Sequence, residues 1–186
     1  MIIYQHRCND WTAIKKASNM CTGIEVDVRT DMGEMYLSHD PIVYSAGRVR
    51  LSDLIKYAED TNTPTILDLK ETGLIPKLAP MITHSDLFYI TDLIYPDQLA
   101  CREHNLNSLS RRSSFEKISK TDGYWIDYVF DADALAEFTV EEFRESVVVS
   151  PELHGRPLRI FFAQSLCAYE PLGVCTDKPL EYLLYQ

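Results

Sequence analysis

The chain has no excess of positive charge, no paired cysteine motif and no long apolar run, and each absence removes a class of protein. Its 18 Lys and Arg residues are outnumbered by 28 Asp and Glu, for a formal charge of −10. Nucleic-acid and anionic-membrane surfaces need clustered cations, so this balance excludes a broad electrostatic footprint of that kind. It leaves open a phosphate-bearing small molecule, because a metal or a few local cations reverse the field inside a pocket. The five cysteines (Cys8, Cys21, Cys101, Cys167, Cys175) are odd in number and scattered. That usage favours a reducing compartment over a disulfide framework. No apolar stretch approaches transmembrane length, and Met1-Ile2-Ile3-Tyr4 gives way to His6-Arg7 too early for a secretory leader. The expectation is a cytoplasmic protein with no nucleic-acid partner and no stable membrane insertion.

Also missing are a Gly/Ser linker, a low-complexity tract and an internal repeat. With 186 residues, 46% of them hydrophobic, the chain suffices for one well-buried core, and a single domain over 1–186 is expected. What is present is alternation. Short β-branched or aromatic runs fall at Ile2 to Gln5, Ile24 to Val28, Thr65 to Leu69, Leu87 to Thr91, Ser108 to Arg111, Tyr124 to Tyr128, Val147 to Ser150 and Gly173 to Cys175. Helical stretches separate them. Asn9 or Asp10 can cap the one carrying Trp11, Ser52 the one carrying Leu54 and Ile55, and Thr139 with Glu142 has the spacing of a capping box. Ile75 to Ile82, Pro96 to Glu103, Phe115 to Lys120, Leu158 to Ala168 and Leu180 to Leu184 are further helical candidates. Such βα alternation fits a (β/α)8 barrel or an open doubly wound sheet, and order alone does not choose between them. One extra strand, Met35 to Ser38, interrupts the pattern after the second strand and ends in His39-Asp40-Pro41.

In Gly23-Ile24-Glu25-Val26-Asp27-Val28-Arg29, period-two alternation puts Ile24, Val26 and Val28 on one face and Glu25, Asp27 and Arg29 on the other. Carboxylates two residues apart on a strand have Cα atoms roughly 7 Å apart, close enough for both to reach one cation. Inside a barrel without such a partner they would repel and lose hydration. An edge strand with a solvated acidic face carries the same pattern. In Ile66-Leu67-Asp68-Leu69-Lys70, Asp68 and Lys70 again share one face, opposite Leu67 and Leu69. His6 closes the first strand and His39 the extra one, at C-terminal strand ends, where barrels keep their catalytic groups.

The ordered set His6-Arg7, Glu25-x-Asp27, His39-Asp40, Asp68-x-Lys70 and Thr176-Asp177-x-Pro179 resembles the glycerophosphodiester phosphodiesterase family, and the resemblance spans nearly the whole chain. It implies a compact TIM barrel with a small extra strand after strand 2. Glu25, Asp27 and Asp68 would then bind one divalent cation, Asp68 standing where the family usually has glutamate. His6 and His39 would form the acid/base pair, and Arg7 and Lys70 would contact phosphate. An oxygen-only ligand set independently favours Mg²⁺ or Ca²⁺ over zinc. The implied activity is metal-dependent cleavage of a small glycerophosphodiester-like or sugar or polyol phosphodiester. Its alternatives are a lyase releasing cyclic phosphate and a lapsed barrel that only binds a phosphorylated ligand. Cys8 departs from the family's glycine after His-Arg, and the Glu-Asn-Thr segment that usually follows is absent. Arg111, as a further phosphate contact, and Asp127 and Glu152, near later strand ends, complete the candidates.

Overall fold

The structure is a computed structural model that describes residues 1–20, 22–41, 47–112, 123–127 and 138–184. Among the described residues nine strands are numbered in chain order: β1 (Ile2–Gln5), β2 (Gly23–Asp31), β3 (Glu34–Leu37), β4 (Thr65–Leu69), β5 (Phe88–Thr91), β6 (Asn107–Arg112), β7 (Gly123–Ile126), β8 (Ser146–Val149) and β9 (Gly173–Thr176). Eight of them run parallel in the order β1-β9-β8-β7-β6-β5-β4-β2, and β1 pairs with β2 to close the ring. That last pairing, with Tyr4 beside Gly23, makes the sheet a TIM barrel and removes the open-sheet alternative. The extra strand β3 lies antiparallel on β2, Val28 opposite Leu37.

Side-chain alternation sorts the barrel into layers. Ile24, Val26, Val28, Leu67, Leu69 and Ile90 point outward into the larger apolar cluster. There they meet helices α1 (Trp11–Asn19), α2 (Leu51–Thr61), α3 (Ile75–Leu78) and α4 (Tyr95–Glu103). Trp11 packs here too, edge-on to Tyr57 at 5.5 Å between ring centres. Helices α5 (Val140–Arg144), α6 (Ile160–Tyr169) and α7 (Pro179–Leu183) bury Phe143, Phe162, Leu166 and Tyr182 against Ile3, Val148 and Val174. Inside the ring, Tyr4, Ile66, Leu109, Val147 and Cys175 fill the floor. Among the described residues no helix is long and apolar enough to cross a membrane.

Glycine makes this floor geometrically feasible. A Cβ on Gly23 or Gly173 would lie 2.6 or 2.5 Å from the Tyr4 ring, and one on Gly123 would run into the Glu145 carbonyl oxygen. Backbone cannot yield as a side-chain tip can. Gly123→Ala is therefore expected to cost at least about 2 kcal/mol, by overpacking in a filled core. Urea unfolding measures it, and an unchanged midpoint would contradict the close approach of β7 to the entry of β8.

Most local signals act as read. Asp10 Oδ1 accepts the Thr12 and Ala13 N–H groups at 2.8 and 2.9 Å, and Thr139 and Glu142 form the reciprocal capping box. Ser52 is a correction: α2 starts at Leu51 with Arg50 as its N-cap, so Ser52 lies within the first turn. Arg50 bridges to Tyr36 in extended conformation, which holds the chain out of the helix until Leu51, a fully buried anchor. The helix expected to reach Ile82 gives way after Leu78 to a 3-10 turn at Ala79–Met81. Pro80 has no N–H and crowds the preceding turn. The expected helix over 115–120, and Tyr128 at the expected end of a strand, lie outside the described residues.

Candidate active site

Alternation carries Glu25 and Asp27 into the ring on β2, while parallel register sets Asp27 beside Asp68 of β4. Glu25 and Asp27 are each 1% exposed, and oxygens of the three carboxylates all lie within 4.8 Å of one another. Lys70, two residues beyond Asp68, turns its Nζ onto Asp68 Oδ2 at 2.6 Å and Asp27 Oδ1 at 3.1 Å. The Arg7 N–H donates to Glu25 Oε2 at 2.7 Å, directed by the left-handed turn that Arg7 makes at φ 52°. Asn9 holds Asp27 from both sides, its Nδ2 donating to Oδ2 at 2.7 Å and its Oδ1 accepting the Asp27 N–H at 2.9 Å.

One ammonium does not neutralise three carboxylates. Desolvation, then the charges of Asp27 and Asp68, push the Glu25 carboxyl well above the ordinary glutamate range, against the pull of the Arg7 N–H and Lys70. Burial likewise raises Asp68 to about 6, with Lys70 opposing. For Lys70, burial lowers the pKa, but Asp68 and Asp27 together outweigh it and raise the ammonium above its usual value. Asp68 Oδ1 and Thr91 Oγ1, adjacent through the β4–β5 register, are buried without hydrogen-bond partners. An oxygen-rich cluster with two negative charges in excess and an orphaned carboxylate oxygen fits a hard divalent cation.

The histidines are oriented alike. His6 Nδ1 lies 3.0 Å from Asp177 Oδ1, and His39 Nδ1 lies 2.9 Å from Asp40 Oδ1, so in each ring an aspartate engages Nδ1. Burial holds the His6 pKa below its usual value, despite the hydrogen bond and charge of Asp177. Glu152, read from sequence as a pocket candidate, instead braces this dyad. Its carboxylate is bonded to the Ser150 and Thr176 hydroxyls and accepts the Asp177 N–H at 3.3 Å. Arg29, on the same face of β2 as Glu25, donates its Nε–H to the His39 carbonyl at 2.9 Å and steadies the segment carrying that residue.

A cavity of about 380 Å³ opens over the set, lined by His6, His39, Arg7, Glu25, Asp68 and Lys70 on one side and by Arg111, Trp125, Asp127 and His154 on the other. Arg111 and His154 both bind Asp127. Thr91, Asp92 and His154 line the cavity although no motif marked them, and Asn9 was read only as a cap candidate. Asn9 was legible in part, since a polar residue two positions past Arg7 must leave β1 near the β2 carboxylates. His154 sits in a 3-10 turn, Pro151–His154, where no strand periodicity reports direction. Cys8, the departure after His-Arg, is wholly buried in the outer cluster, and burial pushes its thiol up to about 12, away from the thiolate form.

No family model matches the chain, and no curated protein matches it. Solved structures do. A glycerophosphodiester phosphodiesterase from Agrobacterium tumefaciens superposes with a TM-score of 0.71 at 12% identity, over 99% of both chains. A truncated 3-deoxy-D-arabino-heptulosonate 7-phosphate synthase from Thermotoga maritima gives a TM-score of 0.55 at 12% identity, over 99% of this chain and 78% of that one. A phospho-2-dehydro-3-deoxyheptonate aldolase from the same organism gives 0.50 at 12% identity, over 95% and 59%. At such identities the likeness establishes the barrel fold alone.

Proposed function

We propose that the chain is a metal-dependent phosphodiesterase acting on a small glycerophosphodiester-like or sugar or polyol phosphodiester. The observation that carries this reading is the convergence of three buried carboxylates and two aspartate-oriented histidines on one cavity. Full-length likeness to a glycerophosphodiester phosphodiesterase supports it at the level of fold.

Glu25, Asp27 and Asp68 would hold the cation, Asn9 and the Arg7 N–H keeping two of the three carboxylates in place. Lys70 offsets one of their charges and leaves two for a divalent ion. When bound, that ion supplies Lewis-acid polarisation of a non-bridging phosphoryl oxygen and offsets charge that builds in the transition state. The Arg7 guanidinium contacts the phosphate. His6, kept neutral by burial, takes the proton from the attacking hydroxyl as its oxygen bonds to phosphorus, and His39 gives a proton to the leaving alkoxide as the other P–O bond breaks. Phosphorus NMR of the products separates attack by water, which leaves a linear monoester, from attack by a neighbouring substrate hydroxyl, which leaves a cyclic one.

The test is a screen of glycerophosphodiesters and sugar phosphodiesters with Mg²⁺, Ca²⁺ and Mn²⁺. At least one diester should be cleaved, and EDTA should lower the rate at least about a hundredfold, the loss expected when Lewis-acid stabilisation is withdrawn. Turnover indifferent to EDTA, or none with any cation, would sink the proposal.

A further inference from the structure

The cavity has a second charged pole, directly across the barrel from the acidic one. Around the ring the strands follow as β1, β2, β4, β5, β6, β7, β8, β9, which sets β2 and β4 opposite β7 and β8. Asp127, just past β7, is 7% exposed at its side chain and receives Arg111 of β6 at 2.8 Å on Oδ2 and His154 at 2.5 Å on Oδ1. Trp125, Val149 and Leu153 line the cavity beside them. The mechanism proposed for the near wall assigns these groups no step, and Arg111, which the resemblance offers as a phosphate contact, stands on the wall across from the acidic cluster.

We infer that this far wall recognises a second anionic oxyacid group, a carboxylate or a phosphate, carried by one of the substrate's alcohols. The inference rests on the phosphodiesterase reading for the near wall. Guanidinium is a donor-only group whose planar fork matches carboxylate and phosphate oxygens two at a time. Arg111 is 41% exposed at its side chain yet anchored on a buried carboxylate, so its orientation is set before a ligand arrives. Both Asp127 oxygens are engaged by Arg111 and His154, which offsets the negative charge beneath the wall. On the near wall Lys70 is held by Asp27 and Asp68, and under the proposed function the scissile phosphate would have Arg7 and the cation. An oriented guanidinium at the opposite pole is suited to the far end of an elongated ligand. A purely structural Arg–Asp pair needs no opening onto the cavity.

Uncleavable probes test this without relying on turnover. Propylphosphonate offers one anion, phosphonopropionate adds a carboxylate, and a propylene bisphosphonate adds a second phosphonate. Calorimetric titration of each into the Ca²⁺-loaded wild type should show at least one two-headed probe binding about tenfold or more tighter than propylphosphonate, the scale of one added charge-assisted pair. The better probe identifies which oxyacid the wall prefers. In Arg111→Gln the ratio should fall to within about twofold, and Arg111→Lys should restore only part of it, because an ammonium lacks the fork. If Arg111→Gln fails to fold, the Lys variant carries the comparison. Equal binding of all three probes by the wild type overturns the inference. Preferential two-headed binding by a protein that cleaves no diester would instead retain this wall and remove the phosphodiesterase reading.

Discussion

Glu25→Gln is expected to lower kcat/KM on any cleaved diester by at least about 10³-fold while leaving the protein folded. The first half follows from charge. Removing a carboxylate from a three-carboxylate set already shared with Lys70 leaves one negative charge for a divalent ion. A weakly held ion forfeits the Lewis-acid contribution, worth several kcal/mol of transition-state stabilisation. The second half follows from linkage. Burial and the neighbouring acids raise the folded-state pKa of Glu25 above its unfolded value. The protonated form is thus favoured by folding, and this stabilisation is lost as pH rises through the folded pKa. Above the unfolded-state pKa the raised Glu25 pKa opposes folding of the metal-free protein, so the neutral amide should melt no lower than wild type. Thermal melts in EDTA beside steady-state kinetics check both halves. A variant that melts far lower, or one that keeps its activity, would contradict the account.

His6→Ala and His39→Ala should each lower kcat/KM by about 10²- to 10⁴-fold, the range for a lost general acid or base. The pH profile distinguishes them. In the proposed mechanism His6 acts as base in its neutral form, and burial sets its pKa below the usual histidine value. With the divalent cation saturating, so that Glu25 and Asp68 are held ionised, activity should therefore rise with pH through an acid-side limb below about 6.5, and that limb should disappear in His6→Ala but persist in His39→Ala. Full activity in either variant, or an acid limb untouched by loss of His6, would remove the histidine mechanism.

Period-two alternation made the interior legible. It assigns Glu25, Asp27, Asp68 and Lys70 to one side of two strands, and parallel register brings the strands together. Alternation says nothing of ring closure, which depends on β1 reaching β2 over long sequence separation, nor of side-chain reach. Lys70, taken from the resemblance as a phosphate contact, folds back on Asp27 and Asp68 because a flexible ammonium seeks the strongest local field. Glu152 shows the same gap, since a strand-end carboxylate can turn into the cavity or toward neighbouring hydroxyls and only packing decides. Groups in turns were hardest to read. His154 and Asn9 lie where no periodicity reports direction, and Asp177 owes its role to a contact with His6 across 171 residues of sequence.

The central claim is that the β2–β4 acidic cluster is a cation site serving phosphodiester chemistry. Calorimetric titration of Mg²⁺ and Ca²⁺ into metal-free wild type and Glu25→Gln at one pH tests it most directly. The account predicts one site per wild-type chain for at least one of these ions and a loss of affinity of at least about tenfold in the variant, consistent with removal of a charged ligand. Absence of binding to the wild type, or equal binding by both proteins, would contradict it.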